Sequence, residues 1–249
     1  MSKKRKGIIA ALVVVIIVCA VGLITYFVKQ NKAKSEYDDV RKTAKKEVTE
    51  EETKEEEETQ IDFEALWNTN EDIYAWIEIP GTEVDYPILQ HPKDDAYYLN
   101  HTVEKNEGLP GSIYTEKWNS KDFTDFNTVI YGHNMKNGTM FKGLHQYEDK
   151  EFLQKNQYVK IYLPDKTLKY RIFAAVTFDD RYIPHSYNFS TDKGCKQFLD
   201  DVKNGVVKDA KAVYDDDVEV TTQDKLITMS TCIANQSSRR WIVVAKLEE

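Results

Sequence analysis

The sequence predicts a mainly β domain with flanking helices, a barrel or sandwich, set behind an apolar N-terminal segment. Three observations predict it. Short β-branched or alternating runs recur along most of the chain after residue 61, one clear amphipathic helix interrupts them, and a highly charged stretch separates them from a long uncharged run. With 249 residues and 41% hydrophobic content, the part beyond the charged stretch can bury one real core.

Residues 2–6 read SKKRK, and no charge follows from Gly7 to Val28. At about 1.5 Å of helical rise per residue, that run can cross a bilayer core. We expect residues 1–6 to be a cytoplasmic tail and 7–28 a single-pass anchor, with the domain outside the cell membrane. The basic residues before the run favour this orientation, although Lys29, Lys32 and Lys34 reduce the asymmetry. A cleaved signal peptide competes, but its apolar region would be shorter and no small-x-small site follows the run. Residues 29–60 are charged and almost free of aromatics, as expected of a tether or solvated helix, and the folded domain is placed at 61–249.

Within that domain, Phe63, Leu66 and Trp67 have helical spacing, and Asn70 suits a cap of a further short turn. AWIEIPGTEVDYPILQ, residues 75–90, alternates on both sides of Pro80-Gly81 and predicts two strands joined by a tight turn. Further strand-like runs lie at Gly111 to Tyr114, Thr128 to Tyr131, Tyr158 to Leu163, Leu168 to Phe178, Lys225 to Thr231 and Trp241 to Leu247. One helix is predicted from about Thr191 to Lys203, ended near Gly205.

Net charge is -8, but much of the acidity sits in EEETKEEEE at residues 50–58, a self-repelling segment that implies no cationic partner. No basic stripe with interleaved aromatics occurs, which excludes nucleic acid as the ligand. Cys19, Cys195 and Cys232 lie far apart and match no zinc spacing. Cys19 falls in the apolar run and Cys195 on the apolar face of the predicted helix, so both read as small buried hydrophobes.

Cys232 is different. LITMSTC is a strand that delivers a thiol at its end, and a reactive thiol needs partial exposure with positive charge nearby. After the loop IANQSS the chain returns as RRWIVVAKL, a second strand expected to pair antiparallel with the first and bring an arginine beside the thiol. A guanidinium remains charged and presents donors in a fixed fork, which suits an oxyanion. Strand parity decides between Arg239 and Arg240, and the residues alone leave both open. A thiol nucleophile also needs a proton-transfer partner, ordinarily histidine. Of five, His133 stands out in TVIYGHN, where a strand ends and Gly132 frees the backbone; His91, His101 and His185 fall in loops, and His145 in an amphipathic helix.

These residues resemble the sortases, class B. TMSTC at 228–232 is similar to the family's TLxTC signature with Met229 for leucine, YGHNMKNGTMF at 131–141 resembles its histidine segment, and RRWIVVAK at 239–246 its arginine strand. The opening AWIEIPGTEVDYPILQ also fits, and the resemblance covers nearly all of 61–249. It implies a sortase-type closed β-barrel with N-terminal helices and one helix before the cysteine strand. It implies Cys232 as nucleophile, His133 as general acid/base and Arg240 as oxyanion stabiliser, with no metal or organic cofactor. Ser230, Tyr131, Thr177, Tyr182 and Ile183 are the expected groove residues. The implied reaction cleaves a C-terminal sorting motif of a secreted protein through a thioester and joins the protein to a peptidoglycan precursor amine. A thiol endopeptidase releasing the acyl group to water, or a non-catalytic wall-binding domain, are the alternatives.

Overall fold

A computed structural model describes residues 3–45 and 61–248. In chain order its elements are α1 (Lys3–Ala44), α2 (Phe63–Thr69), β1 (Ile73–Glu78), β2 (Asp85–Leu89), β3 (Ile113–Tyr114), β4 (Asn127–Tyr131), α3 (Lys150–Lys155), β5 (Tyr158–Tyr162), β6 (Thr167–Asp179), α4 (Ile183–Ser186), α5 (Asp192–Asn204), β7 (Ala212–Tyr214), β8 (Leu226–Ile233) and β9 (Gln236–Leu247). Two 3-10 helices, Tyr97–Leu99 and Phe141–Glu148, lie between strands.

The strands run in the order β5-β1-β2-β3-β4-β8-β9-β6, and pairing of β5 with β6 closes these eight into a barrel. β7 pairs with the later part of β6, outside the ring. Alternation along the strands fills two cores. Ile227 and Met229 of β8 and Trp241, Val243 and Ala245 of β9 belong to the larger cluster. Ile242 and Val244 of β9 join Phe198, Cys195 and Val202 of α5 in a second one. That helix has Thr191 as its N-cap, accepting from the Gly194 amide, and Gly205 at its end. β6 serves both clusters, and a register shift between Ile172 and Ala174 lets Phe173 and Ala174 both join the second cluster before alternation resumes.

The two strands expected around Pro80-Gly81 are β1 and β2, antiparallel with Glu78 opposite Asp85. Gly81 has φ +83, and a Cβ there would lie 2.0 Å from Asn156 Oδ1, so only glycine fits the turn.

The expected tether differs from what is found. α1 continues without a break to Ala44, and Ala33, Tyr37, Val40 and Ala44 are buried. Their spacing of four, three and four residues makes one helical stripe. Tyr37 Oη donates to the Gly111 carbonyl at 2.6 Å, Arg41 Nε donates to the Asp85 carbonyl at 2.8 Å, and the Arg41 guanidinium lies 4.5 Å from the Tyr86 ring centre. Burying Val40 alone contributes about 2 kcal/mol, so this stretch belongs to the folded domain rather than to a solvated spacer. The remainder of the tether, 46–60, and residues 1–2 of the expected tail lie outside the described residues. The earlier part of α1 is exposed and apolar, and the helix over Leu12–Ala44 is long enough and apolar enough by composition to cross a membrane.

Candidate active site

Cys232 is next to last in β8, where the strand passes from buried to exposed residues. Its thiol is free and exposed, whereas Ser230, two residues earlier on the same face, is buried. The expected IANQSS loop is in fact a tight hairpin. Ile233 pairs with Gln236, leaving Ala234 and Asn235 as the turn, with Asn235 at φ 60. Asparagine tolerates that left-handed conformation, which lets both strands run further than their apolar content suggests.

This register settles the arginine geometry. Cys232 lies directly opposite Arg240, and opposed residues in an antiparallel pair share a face. Arg240 Nη1 donates to the carbonyls of Ser237 at 2.8 Å and Arg239 at 2.9 Å, which steadies the guanidinium. Arg239 takes the other parity, and its Nη2 donates to the Lys208 carbonyl.

β4 runs parallel to β8, with Tyr131 beside Ser230, and the Gly132 amide extends the ladder to the Ser230 carbonyl at 3.2 Å. Two residues beyond this matched pair come His133, just past the end of β4, and Cys232 on β8. Gly132 is needed here: a Cβ would lie 2.5 Å from Ile113 Cδ1 and 2.7 Å from the Phe141 ring. His133 Nε2 lies 2.7 Å from the Leu99 carbonyl oxygen. A carbonyl only accepts, so Nε2 carries a proton and Nδ1 is left to exchange one.

Cys232, His133 and Arg240 line one open cavity of about 240 Å³, together with Tyr131, Ser230, Tyr182 and Ile183. Thr177 does not. It pairs with Trp241, whose side chain is in the barrel core, and so has the parity opposite to Phe178 and Arg240; its Oγ1 accepts from the Lys211 amide. Thr177 thus lies outside the residues that line this cavity.

The cavity also has walls that the sequence reading missed: Leu99, Tyr114 and the run Asp179 to Arg181. Arg181 is fully engaged, bonded through Nε and Nη2 to Asp179 at 2.7 Å each and through Nη1 to Asp201 at 3.1 Å. Tyr182 Oη donates to Glu116 in a short contact. Burial raises the Glu116 carboxyl above its usual range, with that donation opposing the rise. Tyr131 stacks on Tyr114 at 5.4 Å, and its buried hydroxyl has no hydrogen-bond partner among the described residues. Burial, then the nearby Glu116, pushes the Tyr131 phenol upward, so it stays protonated as a donor.

Residues 77–248 match the sortase domain family. The chain is 38% identical over 169 residues to sortase B of Listeria monocytogenes, covering 67% of this chain and 65% of that protein. It is 31% identical over 242 residues to sortase B of Staphylococcus aureus, covering 95% of this chain and 93% of the relative. The crystal structure of a sortase B from B. anthracis superposes with a TM-score of 0.73 at 28% identity, over 90% of this chain and 99% of that one. With the eight-stranded barrel of those relatives and a family match over most of its length, the chain belongs to the sortases, class B, and is a cysteine transpeptidase.

Proposed function

We propose that the enzyme is anchored in the cell membrane through residues 7–28, with its N-terminus cytoplasmic and its barrel outside, and joins sorting-motif-bearing secreted proteins to a peptidoglycan amine. The Cys232 thiolate attacks the carbonyl of the residue before the scissile bond, a threonine by family resemblance. Arg240 steadies the tetrahedral oxyanion, His133 gives a proton from Nδ1 to the departing amine, and a thioester remains on Cys232. The amine of a peptidoglycan precursor then attacks the thioester, the C–S bond breaks to release the Cys232 thiolate, and His133 takes up the proton the amine sheds. Ser230, Tyr131, Tyr182 and Ile183 contact the motif, the Tyr131 hydroxyl being an unused donor for a peptide carbonyl.

One observation carries this reading: an exposed thiol, an imidazole and an arginine from three strand ends share one cavity, with Cys232 and Arg240 in direct register. Screening a peptide library against the protein, with and without added amines, tests it. Cleavage that is lost in Cys232→Ala, with a cysteine-bound acyl adduct seen by mass spectrometry, is the expected result. If the amine never enters the product, the enzyme is a thiol endopeptidase.

A further inference from the structure

At Cys232 the backbone of β8 loses regular support on both sides. Toward β4, the parallel ladder reaches the Ser230 carbonyl through the Gly132 amide, and the next bond in that pattern would run from the amide of residue 134 to the Cys232 carbonyl. β4 has already ended at Tyr131, and the chain turns away into a loop. Toward β9, the register shifts between Cys232 and Ile233. The residue that bears the thiol thus sits at the one step of β8 where one ladder stops and the other is irregular.

Two side chains fill the gap. Asn134 Nδ2 donates to the Cys232 carbonyl at 2.9 Å, so residue 134 supplies from its side chain the bond its backbone no longer makes. His145, from the 3-10 helix Phe141–Glu148, places Nε2 3.1 Å from the same oxygen and 3.0 Å from Asn134 Nδ2. The His145 ring is aimed from behind. Nδ1 donates to Glu148 Oε1 at 2.8 Å, Glu148 Oε2 accepts from Lys211 Nζ at 2.7 Å, and the ring lies nearly parallel to Trp241 at 6.1 Å. When both ring nitrogens carry protons, His145 donates to the carbonyl directly; with one proton, at Nδ1, its Nε2 accepts from Asn134, which still holds the carbonyl.

Asn134 directly follows His133 in the chain. Its loop is closed by the Phe141 amide donating to the His133 carbonyl at 3.0 Å and by a bridge between Asn134 and Met140. The grip on the Cys232 carbonyl therefore joins the strand carrying the thiol to the loop carrying the imidazole.

We propose that Asn134 and His145 are positioning residues that set the spacing of the Cys232 thiol from the His133 ring. This rests on the assignment of Cys232 and His133 given above. The substitutions to compare are Asn134→Asp, which keeps the shape and removes the donor, His145→Phe, which keeps a ring against Trp241 without donors, and His145→Gln, which restores a donor near Nε2. They are made in the full chain and assayed with a cleaved library peptide. Asn134→Asp and His145→Phe lower kcat about 10- to 100-fold with little change in KM, and His145→Gln recovers most of it. Iodoacetamide still alkylates Cys232 and spares the buried Cys195 in each variant, showing a folded protein with an accessible Cys232 thiol. Wild-type kcat in Asn134→Asp and His145→Phe overturns the proposal, as does a His145→Gln protein no faster than His145→Phe. Full activity in Cys232→Ala would instead overturn the nucleophile assignment.

Discussion

One wall of the cavity is the β8–β9 hairpin and another is the run Asp179 to Ile183, and they are held by different means. On the hairpin wall, strand register places Cys232 opposite Arg240, and side chains add their hold at the Cys232 carbonyl, through Asn134 and His145. On the other wall β6 has ended, and the chain is shaped by side chains: Arg181 clamped by Asp179 and Asp201, and Tyr182 bonded to Glu116. Under the proposed roles, chemistry, which needs sub-ångström placement, falls to the register-fixed wall, whereas substrate contact tolerates the side-chain-fixed one.

Exchanging the two arginines tests the register claim most severely. Arg240→Ala is expected to lower turnover about 100- to 1000-fold, while Arg239→Ala leaves it near wild type; equal losses in steady-state kinetics would mean that parity does not govern that wall. On the other wall, Asp179→Ala removes the bidentate partner of Arg181. Both groups are about a third exposed, with side-chain exposures of 30% and 31%, so the stability cost is held to about 1 kcal/mol. Its larger effect is on KM, and a fall in kcat with KM unchanged would break the division between walls. Tyr131→Phe removes a hydroxyl with no hydrogen-bond partner among the described residues, so the denaturation midpoint stays put while KM for peptide rises.

The smallest effect concerns pH. Desolvation alone would raise the Glu148 carboxyl, but Lys211 and His145 outweigh it and hold the group below the usual range. A depressed carboxyl stabilises the fold above its unfolded value and loses that contribution as pH falls through the folded one. Partial exposure keeps this well under about 1 kcal/mol. Glu148→Gln should therefore flatten the acid limb of a stability-against-pH curve measured by urea melts, and an unchanged limb would count against the Lys211–Glu148–His145 link.

Patterns of period two made the barrel legible, and so did the strand ending in a cysteine, the glycine before His133 and the basic pair after the hairpin. What stayed hidden depends on long-range pairing. Thr177 falls outside the cavity because its face is set by pairing with Trp241 after an irregular step near Phe173, which no local window reveals. The short β7 lacks enough residues to show a period. The role of Asn134 depends on a carbonyl 98 positions away. The stripe Ala33, Tyr37, Val40 and Ala44 was readable, but dense charge between its members, at Glu36, Asp38, Asp39, Arg41 and Lys42, masked it.

The unbroken α1 limits where the enzyme can work. If residues 7–28 span the bilayer core as proposed, four residues, with a rise of about 7.5 Å from Val28, separate that core from Ala33, the first buried residue among those described. Under the proposed anchoring, the barrel would ride close to the lipid headgroups instead of swinging on a long spacer.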